Sequence, residues 1–408
     1  MTEHYDFVII GNSAAGLQAI RTLRRHDRQS TIALIDREDC PAYSRVLTPY
    51  YIGGHIPRER LQIVGHDFYR ELGVKTLFGH SVVAIDPEKH SVQRADGRDV
   101  DFGKLLLATG AEARTLTVSA HKSCVLRHMA DAEKIVGLLK GVQCITAIGA
   151  GLVSLPLLSH AHARIEKHLI VGSDRIFSRV IDAEASWLLE EMLIKQGLTL
   201  HKQDDIREIR EEARLRMMLN SGTVLTSDLL IVGKGVTPNT RLAVEAGLDV
   251  GNGIRIDRFC RSNHPDVFAA GDAAEGADFI SGEATIQGNW MTAVEQGENA
   301  ALNMLGLECP YPGSLKNNIT EIFGIDVAAV GYCQDDVSQT VYSWNALTGR
   351  FRKVFLDERQ RVVGATLIGD TNDAGLYYHL ASTRGIFPGK KLLNGTANYA
   401  QVQQRLAS

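Results

Sequence analysis

YDFVIIGNSAAGLQAIRTLRRHDRQSTIALID, residues 5–36, opens with an apolar run, passes through a glycine-containing turn and ends in a second apolar run. Tyr5 to Ile10 predicts a strand, the stretch to about His26 a helix, and Thr31 to Asp36 a second strand, which together make a β-α-β unit. The turn Gly11-Asn12-Ser13-Ala14-Ala15-Gly16 stands where a G-x-G-x-x-G fingerprint belongs. Gly11 permits the tight turn, and Gly16 permits the helix to pack closely on the strand. Free N–H groups at the helix start, carrying about half a positive charge from the helix dipole, then face a pyrophosphate. Ser13 replaces the central glycine, yet its small side chain still permits close backbone approach. Asp36 ends the second strand 20 residues after Gly16, where a carboxylate meets a ribose hydroxyl pair, with Glu38 as the next nearest acid.

A second copy, Gly149-Ala150-Gly151-Leu152-Val153-Ser154, follows a strand that starts at Gln143. It opens a helix from about Gly151, and the chain re-enters a strand at His168 to Val171. Two fingerprints in β-α-β context predict two dinucleotide sites. In the second copy Val171 and Gly172 occupy the place of the strand-end acid, so the usual NAD(H) marker is absent. No arginine pair for a 2′-phosphate replaces it; Arg175 is a candidate phosphate contact and equally a surface charge. The choice between NAD(H) and NADP(H) stays open. Outside these units, Gly73 to Ala108 reads as a meander, and another ends in the apolar run Asp228 to Val232. Beyond Pro310, Val341 to Tyr342, Phe351 to Leu356 and Val362 to Ile368 read as antiparallel strands, and Ala374 to Thr383 as a helix.

The 408 residues exceed what one hydrophobic core organises, so two or three domains are expected. With 44% hydrophobic and 23% charged residues, the composition is that of a globular protein. A formal net charge of −4 gives no polyanion-binding surface, and nucleic acid is not an expected partner. No apolar run approaches the roughly 20 residues that span a bilayer. The chain opens directly on a strand pattern, which predicts no signal peptide. Cys40, Cys124, Cys144, Cys260, Cys309 and Cys333 lie far apart without a CxxC pair, which argues against a disulfide framework, a structural zinc site or a cluster within the chain. A cytoplasmic location follows most simply. The 14 histidines include His160 and His162, two apart on one helix and facing different ways, and no metal site is expected.

Three further stretches, in order, make the chain resemble the two-dinucleotide FAD reductases of the pyridine nucleotide–disulfide oxidoreductase fold family. Leu105 to Ala111 (LLLATGA), with Ala108, Thr109 and Gly110, resembles the strand on which the chain leaves the FAD domain. Ile231 to Asn239 (IVGKGVTPN), with Gly233, resembles the re-entry, and Asp266 to Asp272 (DVFAAGD) the ribityl motif, in which Asp272 follows Gly271. The resemblance implies an α/β fold of two Rossmann-like domains, the NAD domain inserted in the FAD domain, plus a C-terminal α+β domain. Residues 1–112 and 238–310 then form the FAD domain, 113–237 the NAD(P) domain and 311–408 an interface domain. FAD and NAD(H) or NADP(H) are the implied cofactors.

Ala42 to Gly53 (AYSRVLTPYYIG) most resembles NADH–rubredoxin reductases and the flavin module of assimilatory nitrite reductases. By that resemblance Tyr43, Ser44 and Arg45 lie beside the flavin, where Arg45 supplies positive charge, unless it forms a surface salt bridge. Arg37, next to Asp36, joins the FAD set with Gly11, Ser13, Ala14, Ala15 and Gly16. Trp290 to Gly297 (WMTAVEQG), including Ala293, resembles the helix whose N-terminus faces the flavin pyrimidine edge, with Trp290 alternatively a core aromatic. The implied nucleotide set is Gly149, Gly151, Leu152, Val153, Ser154, Gly172, Arg175 and Gly233.

The departures narrow the chemistry. The CxxxxC pair of disulfide reductases is missing, Val46 stands at the position of a single redox cysteine, and Cys40 lies six residues too early and reads as structural. Tyr50 and Pro156 replace a Lys and a Glu common in oxygenase-type ferredoxin reductases, and Pro156 is expected to kink its helix. With no second redox centre in the chain, the flavin carries the chemistry and no side chain is named catalytic. The expectation is a flavoprotein exchanging electrons between NAD(P)(H) and a rubredoxin, a ferredoxin or an iron–sulfur subunit, as a homodimer or part of a larger complex. The alternatives are an oxidase reducing oxygen directly and an FAD-binding assembly or sensing protein.

Overall fold

Continuous apolar runs such as Phe7 to Ile10 and Ile32 to Ile35 are buried on both faces, as strands of a parallel sheet must be. In the computed structural model, which describes residues 3–118, 120–387, 389 and 393, they pair in register, Phe7 with Ile32 through Ile10 with Ile35. The described chain divides into two compact units. The first takes the residues up to Val46, Pro57–Glu112 and Val236–Leu315; the second takes Leu47–Ile56, Ala113–Gly235 and the described residues from Lys316 onward.

In the first unit the sheet runs in the order 74–78, 32–36, 3–10, 99–107, 91–94, 82–86, with 267–269 also paired to 99–107. The expected meander over Gly73 to Ala108 is corrected at its two ends. Val74–Phe78 joins Ile32–Asp36 in parallel, and Asp99–Leu107 joins Glu3–Ile10 in parallel. Only Val82–Asp86, Ser91–Arg94 and Asp99–Leu107 are antiparallel neighbours. The alternation of short strands and turns is the same in both arrangements, so periodicity alone did not separate them. The helix Ala14–His26 buries Leu17, Ile20 and Leu23 on one stripe against this sheet.

In the second unit all pairings of the central sheet are parallel, in the order 198–202, 166–171, 144–148, 229–232, 123–124. Its odd-numbered residues Ile145, Ala147, Leu169 and Val171 face the main core. Ile148 and Ile170 on the other face pack under Leu215, Met217 and Leu225 of an antiparallel three-strand layer, 206–211, 215–219 and 224–227. A five-stranded antiparallel sheet follows, ordered 317–322, 325–331, 362–368, 350–356, 339–345, and the helix Ala374–Ser382 comes after it. The first hairpin, Asn317–Gly331, has no counterpart in the sequence reading; its turn is Phe323 at φ 51° followed by Gly324 at φ 74°. Of the segment expected as a C-terminal domain, residues 388, 390–392 and 394–408 lie outside the described residues.

An ion cluster around the buried Lys353–Asp182 pair joins two parts of this unit. The Lys353 ammonium, on strand 350–356, donates to Asp182, to Asp335 at 2.7 Å and to Glu184 at 3.2 Å. Asp182, with no exposed surface, also caps the helix Ala183–Lys195 by accepting from the Ala185 N–H. Burial works to lower the Lys353 pKa, yet Asp182 and Asp335 hold it well above the usual lysine value. No helix among the described residues is long and apolar enough to cross a membrane.

Candidate functional site

The first glycine turn is fixed by backbone crowding. Gly11 has φ 110°, and a Cβ there would overlap the Ala108 carbonyl oxygen; a Cβ on Gly16 would overlap the Gly11 carbonyl oxygen. Ser13, in place of the fingerprint's central glycine, has φ −115° and stands at the N-cap position in an extended conformation open to any residue. Its presence therefore costs no backbone strain. Ala14 and Ala15 are buried behind the turn, and no acidic residue in the first helical turn offsets the positive end of the dipole.

Asp36 lies at the sheet end, accepting from the Asn12 N–H at 2.5 Å and the Glu38 N–H at 2.7 Å. Burial pushes its carboxyl above the usual value, and those two N–H groups pull the other way. Arg45 is not a free surface charge: it donates to Glu38 at 2.7 Å and to the Tyr43 hydroxyl at 2.7 Å, and Tyr43 donates to Glu38 at 2.9 Å. Burial lowers the Arg45 pKa, but its bonds to the Tyr43 oxygen and Glu38, with Asp36 nearby, raise it by more, so the guanidinium stays charged. Ser44 donates its N–H to Leu61, and Arg37 is exposed and paired with Glu112.

The remaining flavin candidates meet the same turn from two directions. Thr109 Oγ1 donates to the Asn239 carbonyl while the Asn239 amide donates to the Thr109 carbonyl, and the Asn239 N–H bonds Gly110. Gly271, at φ 77°, lies beside the side chains of Ala15 and Ala293, and Gln296 fixes it by accepting its N–H at 2.8 Å. Asp272 follows directly. The helix Trp290–Met304 starts at the expected residue, capped by Asn289, whose side chain accepts from Thr292; Trp290 is half-buried on the core. Gly297 lets this helix press on the Ala15 backbone, where a Cβ would overlap. Asn12, Asn239, Gln296 and Gly297 were missed as site-shaping residues. For Gly297 a signal existed, since glycine inside a helix costs about 1 kcal/mol and calls for a packing reason.

The second turn repeats the device with one difference. A Cβ at Gly149, φ 94°, would overlap the Gly233 carbonyl, and one at Gly233 would overlap Ser154 Oγ. A Cβ at Gly151 meets nothing within 4 Å. The helix starts at Ser154 rather than near Gly151 and spans only Ser154–His160. Pro156 lies in its first turn between Leu155, whose N–H donates to Gly151, and Leu157, whose N–H donates to Val153, so the helix continues past the one bond that the proline removes. His162 falls beyond the helix end. Leu152 is exposed and Val153 half-buried. Phe177 donates its N–H to the Ala150 carbonyl, tying the loop after Gly172 to the turn. Arg175 is drawn onto Asp174 and the Ser178 carbonyl within that loop. Tyr50 packs on His160 with ring centroids 3.8 Å apart and ring planes tilted by 38°.

Both turns have the shape a dinucleotide pyrophosphate needs: a glycine-closed backbone turn at the C-terminal end of parallel strands, leading into a helix. Two such cradles in one chain define a two-nucleotide flavoprotein oxidoreductase. The chain belongs to the pyridine nucleotide-disulphide oxidoreductase family, whose profile matches residues 5–297, and its cofactors are FAD and a nicotinamide dinucleotide.

Among curated proteins, the chain is 29% identical over 375 residues to the assimilatory nitrate reductase electron transfer subunit of Bacillus subtilis, covering 90% of this chain. It spans only 48% of that relative. It is 27% identical over 397 residues to subunit epsilon of the NADH-dependent phenylglyoxylate dehydrogenase of Aromatoleum evansii, covering 94% of this chain and 92% of that one. A crystal structure of the covalent putidaredoxin reductase–putidaredoxin complex has the same fold, with TM-score 0.90 at 22% identity over 100% of this chain and 99% of the other.

Asp272 has a direct test. In Asp272→Ala, FAD affinity is expected to fall by roughly 10- to 150-fold, the loss of about 1.5–3 kcal/mol from one charge-assisted hydrogen bond. Fluorescence titration of the apoprotein with FAD measures it, and wild-type affinity would remove Asp272 from the site.

Proposed function

We propose that this chain is an FAD-dependent reductase that exchanges electrons between NAD(P)(H) and an iron–sulfur protein, either a rubredoxin or ferredoxin or an iron–sulfur subunit of a larger oxidoreductase. The observation that carries this reading is the pairing of two dinucleotide cradles with the lack of a redox-active thiol pair. All six cysteines are free, and four are buried. Cys40, half-buried, has its thiol pushed up to about 11 by burial and by Glu38 and Asp36, so it is protonated at neutral pH. Electrons reaching the flavin therefore leave to something outside the chain. The relative matched over nearly its whole length is itself a subunit of an NADH-dependent dehydrogenase, which supports a fixed complex. Free cysteines suit a cytoplasmic location.

FAD, when bound, would supply two-electron hydride exchange with the nicotinamide and single-electron exchange with the partner. The chain's own residues hold and orient. Gly11 and Gly16 let the turn and helix that would face one pyrophosphate form, Asp36 would bind a ribose, and Asp272 the ribityl hydroxyls. The N-terminus of Trp290–Met304, capped by Asn289 and without an acid in its first turn, favours negative charge beside it. Gly149 and Gly151 admit the second pyrophosphate.

Purified protein is expected to reduce dyes with NADH or NADPH and to reduce oxygen slowly. An added iron–sulfur partner should make turnover fast and saturable, with affinity falling as salt rises if the partner is a soluble carrier. Stopped-flow oxidation with candidate partners and pull-down of the native protein test this. Rapid oxidation by oxygen alone, with no iron–sulfur protein captured, would replace this reading with that of an oxidase.

A further inference from the structure

A polar cluster interrupts one apolar face of the parallel sheet in the second unit. Strands Cys144–Ile148 and Glu166–Val171 run side by side, with Glu166 opposite Cys144 and His168 opposite Thr146. Residues paired across neighbouring strands present their side chains to the same face, so Cys144, Thr146, Glu166 and His168 share one. His168 is also opposite Thr199 on strand Leu198–Lys202, which puts His201, two residues on, at the same face. Cys144 Sγ, a Glu166 carboxylate oxygen and a His168 ring nitrogen all lie within 4.8 Å of one another. That 4.8 Å bound exceeds by roughly 1.3 Å the roughly 3.5 Å between ligand atoms around a tetrahedral zinc, a gap that rotation of the exposed Glu166 side chain can narrow.

We propose that Cys144, Glu166 and His168 form a binding site for a divalent ion of the zinc class, with His201 orienting the His168 ring. A thiolate, an imidazole and a carboxylate are the donors such an ion takes, and no hard, oxygen-only cation suits the sulfur. Independent support comes from the imidazole pair. His168 Nε2 faces Glu166 Oε1 at 3.0 Å and Nδ1 faces His201 Nε2 at 3.2 Å. An ion on Nε2 would leave Nδ1 as the N–H, in a position to donate to His201 Nε2. The fully buried Thr146 hydroxyl, on the same face, has no hydrogen-bond partner among the described residues. A water in the fourth coordination position would give it one.

The site escapes a search of local spacing because its ligands come from two strands, 22 residues apart from Cys144 to Glu166. It also lies away from the nucleotide turn. Cys144–Ile148 leads into Gly149 and Glu166–Val171 into Gly172, so the ion would clasp the two strands at their opposite ends. Its expected role is to stabilise this sheet, separately from electron transfer.

The test is equilibrium dialysis of tag-free, FAD-loaded protein against zinc, with metal analysis and a thermal melt. The expected result is one zinc per chain, displacing the thiol proton so that affinity rises with pH, and a raised melting midpoint. Cys144→Ser should weaken binding about 100-fold, and His201→Phe about 10- to 100-fold. Glu166→Gln, at an exposed position that the fold tolerates, should weaken it about 10-fold. Substoichiometric zinc in the wild type, or uptake undiminished in Glu166→Gln and Cys144→Ser, would overturn the proposal.

Discussion

Gly151→Val is expected to raise the Michaelis constant for the nicotinamide nucleotide by about 100-fold while the bound-FAD spectrum and the melting midpoint stay at wild-type values. The reason lies in the contrast between two glycines of one turn. At Gly149 any side chain would overlap the Gly233 carbonyl, so substitution there damages the protein itself. At Gly151 a Cβ meets open space, so a valine is accommodated by the fold and collides only with what enters the turn. A 100-fold loss corresponds to about 2.7 kcal/mol, in the range of an obstructed backbone approach with its phosphate hydrogen bonds. Steady-state kinetics with NADH and with NADPH measure the effect. Loss of FAD from this variant, with normal nucleotide binding, would show that the two sites are exchanged.

The second large effect concerns stability. Lys353→Ala is expected to destabilise the second unit by about 3–5 kcal/mol, because it strands the fully buried Asp182 carboxylate in the interior. Asp335 and Glu184 reach solvent and can hydrate once the ammonium has gone; Asp182 cannot. The double variant Asp182→Asn, Lys353→Met removes both charges and should recover much of the loss, since no unpaired charge remains. Chemical denaturation of the single and double variants reads this out. A single variant within about 1 kcal/mol of wild type would mean that the cluster is solvated and contributes little.

What could be read from the sequence falls into two kinds. Gly11, Gly16, Gly149 and the strand–turn–helix context around them were legible because a glycine turn at the end of a buried strand is a local object, specified within a few residues. Gly271, packed beside Ala15 and Ala293, and the start of the helix at Trp290 were legible as ordered motifs. By contrast, the parallel pairing of Val74–Phe78 was not, because strand partners are chosen by the whole sheet and not by the strand. The short helix at Ser154 was misplaced by a few residues, since the turn before it is held by Phe177 from a separate loop.

The sequence by itself determined that there are two dinucleotide cradles, their order along the chain, and that no closely spaced thiol pair accompanies them. These depend on residue type and short-range spacing alone. Only the tertiary structure decided which glycine is crowded and which is open, that Arg45 is held by Glu38 and Tyr43, and that Lys353 neutralises Asp182 from 171 positions away. It also brought Cys144 to Glu166 and His168. Each of these is a contact between segments distant in the chain, created when strands pair and helices pack, and no local pattern encodes it.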